Sequence, residues 1–219
     1  MTEVAALDIR DLGHAYSGRP ILSAFNLAVP VGSHTVLLGP SGSGKTTLIN
    51  LVTGLLTPDA GTIMVGGEHM TGSAAARDDL RRRRIGIIFQ TLRLVAALSV
   101  VDNLRLAQRL SGQRRDDTII DHLLDGVGLS HRRQANPRQL SQGEAQRAAI
   151  ARALVGKPDI LIADEPTSAL DDLNAKKVAE MLIRTSNARG STLLIATHDA
   201  RLKAHFEQAV TLKPFRVVA

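Results

Sequence analysis

The residues best suited to chemistry form a glycine-rich loop that follows a short apolar run. Their spacing matches G-x-x-x-x-G-K-[ST], a pattern typical of phosphate-binding loops between a strand and a helix. Glycines let backbone N–H groups turn inward around phosphate oxygens, and the helix N-terminus adds partial positive charge. We expect Lys45 to reach the β- and γ-phosphates of a nucleotide and the Thr46 hydroxyl to bind Mg²⁺. The loop residues expected to bind the nucleotide are Gly39, Pro40, Ser41, Gly42, Ser43, Gly44, Lys45, Thr46 and Thr47.

An acidic pair, Asp164 and Glu165, directly follows the apolar run 160–163. On its own such a pair is typical of a solvated strand end. Beside a phosphate loop it favours catalysis, because Asp164 can hold Mg²⁺ through its water shell and Glu165 can accept a proton from the attacking water.

A third motif, Leu140-Ser141-Gln142-Gly143-Glu144, precedes a predicted helix and resembles the LSGGQ signature of ATP-binding cassette (ABC) transporter subunits. The resemblance extends from about residue 5 to residue 212, and further matches occur in the family's order. They are Tyr16 for the adenine-stacking aromatic residue, Gln90 for the Q-loop, Ser168-Ala169-Leu170-Asp171 for the D-loop and His198 for the switch histidine.

The resemblance implies a homodimer in which two cassettes pack head to tail around two ATP molecules. Each ATP then lies between the phosphate loop of one subunit and the signature of the other, which adds Ser141, Gln142, Gly143, Glu144 and Asp171 to the nucleotide-binding residues. The implied catalytic residues are Glu165, His198, Gln90 and Lys45, and the implied metal-binding residues are Thr46, Gln90 and Asp164.

The signature departs from the family pattern at two positions. Gln142 stands where the family usually has glycine, which allows the backbone to approach a phosphate closely. The larger residue is therefore expected to weaken the closed dimer or to contact the nucleotide differently. Glu144 replaces a glutamine, a change that also occurs in the lipoprotein-release and macrolide-export branch. Neither change alters Lys45, Asp164 or Glu165, so we expect hydrolysis to be retained. Arg147, one turn into the helix, is interpreted as structural.

Short apolar runs alternate with helical patterns along most of the chain, which favours an α/β fold around a parallel sheet. Strands are predicted at 4–10, 21–29, 34–39, 61–67, 85–89, 159–164 and 191–197. Helices are predicted at 48–56, 74–84, two within 99–130, 142–155 and one between the last two strands. The resemblance implies a P-loop NTPase core with an N-terminal antiparallel β subdomain and an inserted α-helical subdomain at roughly 95–155. We expect one domain over residues 1–219.

Composition excludes several classes of protein. The 219 residues are 44% hydrophobic and 22% charged, as in folded globular proteins. Cysteine is absent, so disulfides, thiolate metal sites and a cysteine nucleophile are excluded. No apolar run approaches the ~18–20 residues of a membrane span, and the first residues do not resemble a signal peptide. We therefore expect a cytoplasmic subunit, peripheral on the inner face of the membrane, whose permease is a separate integral membrane protein.

Charge and aromatic content bear on nucleic-acid binding. The net charge is +6, but aromatic residues make up only 2% of the chain, which argues against a base-stacking surface. The arginines at 81–84, 114–115 and 132–133 are interpreted mainly as solvated helix ends, with anionic lipid as a second interpretation. Nucleic acid is not an expected partner.

The short C-terminal part favours the branch of lipoprotein release, macrolide export and the cell-division cassette, whose permeases can work with a periplasmic adaptor. Two alternatives stay open. One is a short importer cassette, and the other is an ABC ATPase acting on nucleic acid or the ribosome. A mechanical role without a transported substrate fits the same residues.

Overall fold

Two β-sheets and a layer of helices make up the computed structural model, which describes residues 5–168 and 170–214. The strands are β1 (Ala5–Tyr16), β2 (Arg19–Pro30), β3 (Thr35–Leu38), β4 (Ala60–Val65), β5 (Glu68–His69), β6 (Ile85–Ile88), β7 (Ile160–Asp164), β8 (Thr192–Thr197) and β9 (Gln208–Thr211). The α-helices are α1 (Lys45–Val52), α2 (Ala74–Arg84), α3 (Val100–Leu110), α4 (Asp117–Gly126), α5 (Gln142–Leu154) and α6 (Asp172–Arg189).

The central sheet is parallel throughout, with the strand order β6-β7-β8-β3-β9. Alternate side chains of β7 face opposite cores, since Ile160 and Ile162 pack with α1 and the N-terminal sheet while Leu161 and Ala163 pack with α3–α6. A strand buried on both faces reads as a continuous apolar run, which is why β7 and β8 were predictable. The predicted α/β fold is confirmed.

The N-terminal sheet is antiparallel, with the order β2-β1-β4-β5. Its strands β1 and β2 are longer than the sequence predicts because they continue to a tight hairpin at Ser17 and Gly18. Both turn residues have positive φ, 49° and 78°, as a two-residue hairpin turn requires. The hairpin brings Tyr16 opposite Arg19.

The helices of the predicted insert are α3, α4 and α5, and each begins at a side-chain cap. The Ser99, Asp116 and Ser141 side chains accept hydrogen bonds from the third backbone N–H that follows, which stabilises a helix start. The predicted polar break at 111–115 separates α3 from α4. Among the described residues, no helix combines the length and apolar character needed to cross a bilayer.

Helix α1 and the last strand also differ from the sequence prediction. Helix α1 begins at Lys45 and ends at Val52, whereas the apolar pattern predicts a helix over 48–56. The chain leaves the helix after Thr53, and Leu55 and Leu56 donate backbone hydrogen bonds to Asn50 instead. The edge strand β9 was not predicted, because it has only four residues and pairs only with β3.

Candidate functional site

The strand order brings four separate sequence motifs to one edge of the parallel sheet. The phosphate loop (residues 39–47) follows β3, Gln90 follows β6, Asp164 and Glu165 lie at the end of β7, and His198 follows β8. These four strands are neighbours and all parallel, so their carboxyl ends meet. Ligands of open parallel sheets bind at this edge.

Two positions of the phosphate loop, Gly39 and Gly44, have no room for a side chain. A Cβ on Gly39 would collide with the Ser43 side chain and lie 2.7 Å from the Leu212 carbonyl oxygen. Gly44 has φ 99°, and a Cβ there would lie 2.9 Å from Ile21 Cγ2. Bulkier residues would push the loop away from the sheet, so the glycines set the close turn into α1.

Lys45 lies inside this loop and is buried. Its Nζ donates to the carbonyl oxygens of Gly39 at 2.7 Å and Pro40 at 3.2 Å. The same Nζ lies 3.3 Å from Glu165 Oε1. The ammonium group therefore sits between the backbone that would surround the phosphates and the predicted catalytic carboxylate.

Asp164 and Thr46 form the predicted metal-binding pair. The Thr46 hydroxyl donates to Asp164 Oδ2 at 3.2 Å. Asp164 Oδ1 is buried and has no hydrogen-bond partner among the residues that the structure describes. Burial raises the pKa of Asp164 above its usual value, against the lowering effect of the Thr46 hydrogen bond. A hydroxyl thus lies beside a buried carboxylate oxygen that has no hydrogen-bond partner in the described part of the chain. Such oxygen ligands suit a hard cation such as Mg²⁺.

Glu165 is held by three neighbours. Its Oε2 accepts a hydrogen bond from the Thr197 hydroxyl at 3.0 Å and lies 3.0 Å from His198 Nδ1. An ionised carboxylate only accepts, so this contact places a proton on Nδ1. Burial alone raises the pKa of Glu165, but the hydrogen bonds from His198 and Thr197 and the charge of Lys45 outweigh it, and the pKa is lowered.

The backbone of Glu165 adopts an uncommon conformation. Its φ is 49°, in the left-handed region that non-glycine residues rarely occupy. Its N–H donates to the Ala196 carbonyl at 2.8 Å, and its own carbonyl accepts from Ser168 N–H at 3.3 Å. This turn directs the carboxylate toward His198 rather than along the strand, and strained backbone of this kind is common at functional sites.

A cleft of about 450 Å³ joins these groups. Its walls carry residues of the phosphate loop, Gln90, Glu165, Ser168, His198 and Ile21. The predicted catalytic residues Lys45, Gln90, Glu165 and His198 thus share one cavity.

Tyr16 lies at the tip of the β1–β2 hairpin with its side chain 47% exposed. Its ring meets the His14 ring edge-on, with 5.0 Å between the ring centroids. The hairpin approaches the phosphate loop through Ile21, since a Cβ added to Gly44 would lie 2.9 Å from Ile21 Cγ2. Tyr16 is therefore on the strand pair that flanks the cleft, although it is not among the residues lining it.

The signature segment (residues 140–144) forms the start of α5. Ser141 N–H donates to Glu144 Oε2 at 2.8 Å, and Glu144 N–H donates to Ser141 Oγ at 3.2 Å, which is a capping box. Glu144 Oε1 also accepts from Arg132 Nε at 2.8 Å. These contacts lower the pKa of Glu144 to about 2, with the Arg132 hydrogen bond the largest cause. Glu144 thus holds the helix start, while Ser141, Gln142 and Gly143 are exposed.

Asp171 of the predicted D-loop caps α6. Its Oδ1 accepts from Asn174 N–H at 2.9 Å, and its Oδ2 accepts from Asn174 Nδ2 at 2.8 Å. Ala169, the second residue of this motif, lies outside the described residues.

The segment between Gln90 and α3 is fixed by side chains of the helical layer. Asn103 accepts from Val95 N–H at 2.8 Å, and its amide nitrogen donates to the carbonyls of Val95, Leu98 and Ser99. Arg152 of α5 donates to the Arg93 carbonyl at 2.6 Å.

Thr197 and Asn103 were not predicted from the sequence, and Arg132 was predicted only as part of a basic cluster. Thr197 directly precedes His198, and this adjacency is the one signal that could have identified it. Arg132 lies 12 residues before Glu144, and nothing in the sequence pairs the two.

The chain was compared with known proteins. The ABC transporter family model matches residues 22–168. The chain is 36% identical to the lipoprotein-releasing system ATP-binding protein LolD of Pseudomonas fluorescens, over 100% of both chains. It is 39% identical to LolD of Geobacter metallireducens, over 97% of this chain and 98% of the relative.

Solved structures agree with these relatives. The dimeric bacterial ABC transporter cassette MJ0796 is similar with a TM-score of 0.84, at 28% identity over 94% of both chains. The same cassette in a dimeric post-hydrolysis state bound to ADP and Pi gives 0.83, at 27% identity over 96% of this chain and 97% of that one. A family match over most of the chain, full-length relatives and the geometry of the cleft agree, and the chain belongs to the ABC transporter family.

Proposed function

We propose that the chain is the ATP-binding and ATP-hydrolysing subunit of an ABC transporter of the lipoprotein-release type. Two copies close head to tail around two ATP molecules, and this closure drives a separate integral membrane permease. The subunit then works in the cytoplasm on the inner face of the membrane. A periplasmic adaptor, reached through the permease, remains a prediction.

The observation that carries the proposal is the arrangement around Glu165. Its carboxylate lies in the cleft with Lys45 on one side and Thr197 and His198 on the other. At neutral pH the carboxylate is ionised, as a group that accepts a proton from water must be. His198 orients it, and Lys45 would move to the β- and γ-phosphates when ATP binds.

Dimerisation is supported by the position of the signature segment. Ser141, Gln142 and Gly143 are exposed at the N-terminus of α5 and are not among the residues that line the chain's own cleft. Exposed N–H groups at a helix start favour an anion. A second copy would place them against the γ-phosphate in the first copy's cleft.

Thr46 and Asp164 would hold Mg²⁺, with Gln90 at the same cleft. The metal would neutralise charge that develops between the β- and γ-phosphates. Asp164 Oδ1, buried without a hydrogen-bond partner among the described residues, is the group that fits it.

A groove of about 560 Å³ on the other side of the Gln90 segment supports a permease partner. Its walls include Phe89, Val95, Leu106 and Leu110. Val95 and Leu110 are 42% and 57% exposed, and exposed apolar side chains around a groove are typical of partner surfaces.

The alternative of a nucleic-acid or ribosome partner is not favoured, because carboxylates neutralise most of the basic clusters. Arg81 and Arg82 pair with Asp78 and Asp79, and Arg83 and Arg84 pair with Glu68. Arginines that are already paired contribute little to binding a phosphate backbone. A short importer cassette fits the same site and stays open.

A Glu165→Gln variant tests the proposal. It removes the proton acceptor but keeps the shape of the side chain, so we expect it to bind ATP, to form a stable dimer and to lose hydrolysis. Size-exclusion chromatography with light scattering, with and without ATP and Mg²⁺, measures the dimer. A variant that stays monomeric with ATP, or that hydrolyses ATP at the wild-type rate, would contradict the assigned role.

A further inference from the structure

One hydrogen bond joins the signature helix to the turn that carries Glu165. Gln146, in the second turn of α5 and partly buried, donates from Nε2 to the Pro166 carbonyl at 3.1 Å. Pro166 directly follows Glu165 in the tight turn closed by the hydrogen bond from Ser168 N–H to the Glu165 carbonyl. The side chain of Gln146 therefore holds the peptide unit between Pro166 and Thr167, one residue beyond the strained Glu165.

The two ends of this connection serve different nucleotides. Glu165 lies in the cleft of its own chain, whereas the exposed start of α5 is outside that cleft. Gln146 lies five residues after Ser141, on the same rigid helix, whose first turn is closed by the capping box of Ser141 and Glu144. A displacement of the helix start therefore reaches Gln146 without being absorbed by a flexible segment.

The left-handed conformation of Glu165 makes its turn sensitive to such a displacement. A non-glycine residue is strained in this conformation, so it persists only where neighbouring contacts hold it. The hydrogen bond from Gln146 is one of those contacts, because it fixes the carbonyl one residue beyond Glu165. Loss of the hydrogen bond would let the turn after Glu165 shift and the carboxylate move away from His198.

We propose that Gln146 is a positioning residue that couples the signature helix to Glu165. When this chain's signature segment binds the partner's ATP, the position of α5 then sets, through Gln146, the position of Glu165 at the chain's own ATP. The inference rests on the proposed head-to-tail dimer and goes beyond it, because it assigns the link between the two ATP sites to one side chain, Gln146.

The test compares Gln146→Met, which keeps the length but removes the donor, with Gln146→His, whose ring N–H restores one. The exposed loop residue Gln113 supplies the control, Gln113→Met. ATP hydrolysis is measured over a range of ATP concentrations. We expect a Hill coefficient above one in the wild type and close to one in Gln146→Met. We also expect a fall in kcat of about three- to tenfold, the range for losing one neutral hydrogen bond, with half-saturation changed less than about twofold.

Three further readouts separate coupling from a merely structural role. Gln146→His should recover both kcat and the Hill coefficient, and Gln113→Met should match the wild type. Thermal unfolding of Gln146→Met should stay within a few degrees of wild type, as expected for a partly exposed site. Gln146→Met in the Glu165→Gln background should still form the ATP-bound dimer, because the hydrogen bond positions Glu165 rather than the nucleotide.

The inference is overturned if Gln146→Met keeps the wild-type kcat and Hill coefficient, if Gln146→His is no better than Gln146→Met, or if the wild type shows no cooperativity. These results differ from those expected if the proposed function is wrong. If the proposed function is wrong, Glu165→Gln does not dimerise with ATP, and the inference fails with it.

Discussion

The Nζ of Lys45 lies 3.3 Å from Oε1 of Glu165 and also donates to the Gly39 carbonyl at 2.7 Å. The group expected to bind phosphate and the group expected to accept a proton are thus in direct contact across the cleft. Bound ATP would compete for the ammonium group. We therefore expect nucleotide binding to draw Lys45 away from Glu165 and to free its carboxylate.

Lys45→Met should therefore lose ATP binding. A charge-assisted hydrogen bond is worth about 1.5–3 kcal/mol, so removing several at once predicts affinity at least about 100-fold weaker. Titration with a fluorescent ATP analogue measures it. The exposed α6 residue Lys177 supplies the control Lys177→Met, and unchanged affinity in Lys45→Met would exclude the phosphate-loop assignment.

His198→Ala should lower kcat by at least about tenfold with little change in the KM for ATP, because His198 acts on the orientation of Glu165. Steady-state hydrolysis separates the two constants. His122→Ala on the exposed face of α4 is the matched control. If the KM rises while kcat is kept, His198 binds nucleotide and does not orient the carboxylate.

Tyr16→Ala should raise the KM for ATP by roughly fivefold or more, as expected for loss of one base–aromatic stack. Tyr16→Phe should keep the wild-type KM, since the ring and its contact with His14 remain. The same steady-state measurement decides the point. A wild-type KM in Tyr16→Ala would make Tyr16 an ordinary hairpin residue.

Glu144→Gln should destabilise the fold at neutral pH more than at acid pH. The pKa of Glu144 is lowered to about 2 from 4.5, so its carboxylate stabilises the folded state fully above pH 4.5. That contribution is lost as the pH falls toward 2. Urea unfolding of the two proteins at pH 7 and pH 3 should show a smaller difference at pH 3. The exposed Glu180→Gln change is the control, and an equal difference at both pH values would contradict the assigned pairing.

Leu110→Ser should reduce co-purification of the membrane partner, because it removes apolar side-chain surface from the groove. Leu55, 49% exposed and not among the residues that line the groove, supplies the matched control Leu55→Ser. The measurement is the amount of permease recovered with the tagged chain from detergent-solubilised membranes. Equal recovery with both variants would place the permease elsewhere.

Much of the site was predictable because its residues are local in sequence. The phosphate loop and the acidic pair each occupy consecutive positions next to an apolar strand, and the family assignment that they support is confirmed by the comparisons. The fold class was predictable for the same reason, since buried strands read as apolar runs. The individual site roles remain predictions for the variants above.

Contacts between distant segments were not predictable. Glu144 was expected at the nucleotide, but its carboxylate is engaged by Arg132 and by the start of its own helix. The left-handed φ of Glu165 depends on neighbours from β8 and α5, which no local pattern reveals. The basic clusters were predicted mainly to be solvated helix ends, and no local pattern indicated that Arg83 and Arg84 would pair with Glu68 of β5.

The four hydrogen bonds of Asn103 have a consequence for protein engineering. All four go to backbone atoms of residues 95, 98 and 99, so they fix the path of the loop rather than its side chains. A chimeric loop of another length or conformation would leave the buried amide of Asn103 unmatched. To redirect the permease contact proposed above, such a loop is therefore best exchanged together with α3, as the whole stretch from Val95 to Leu110.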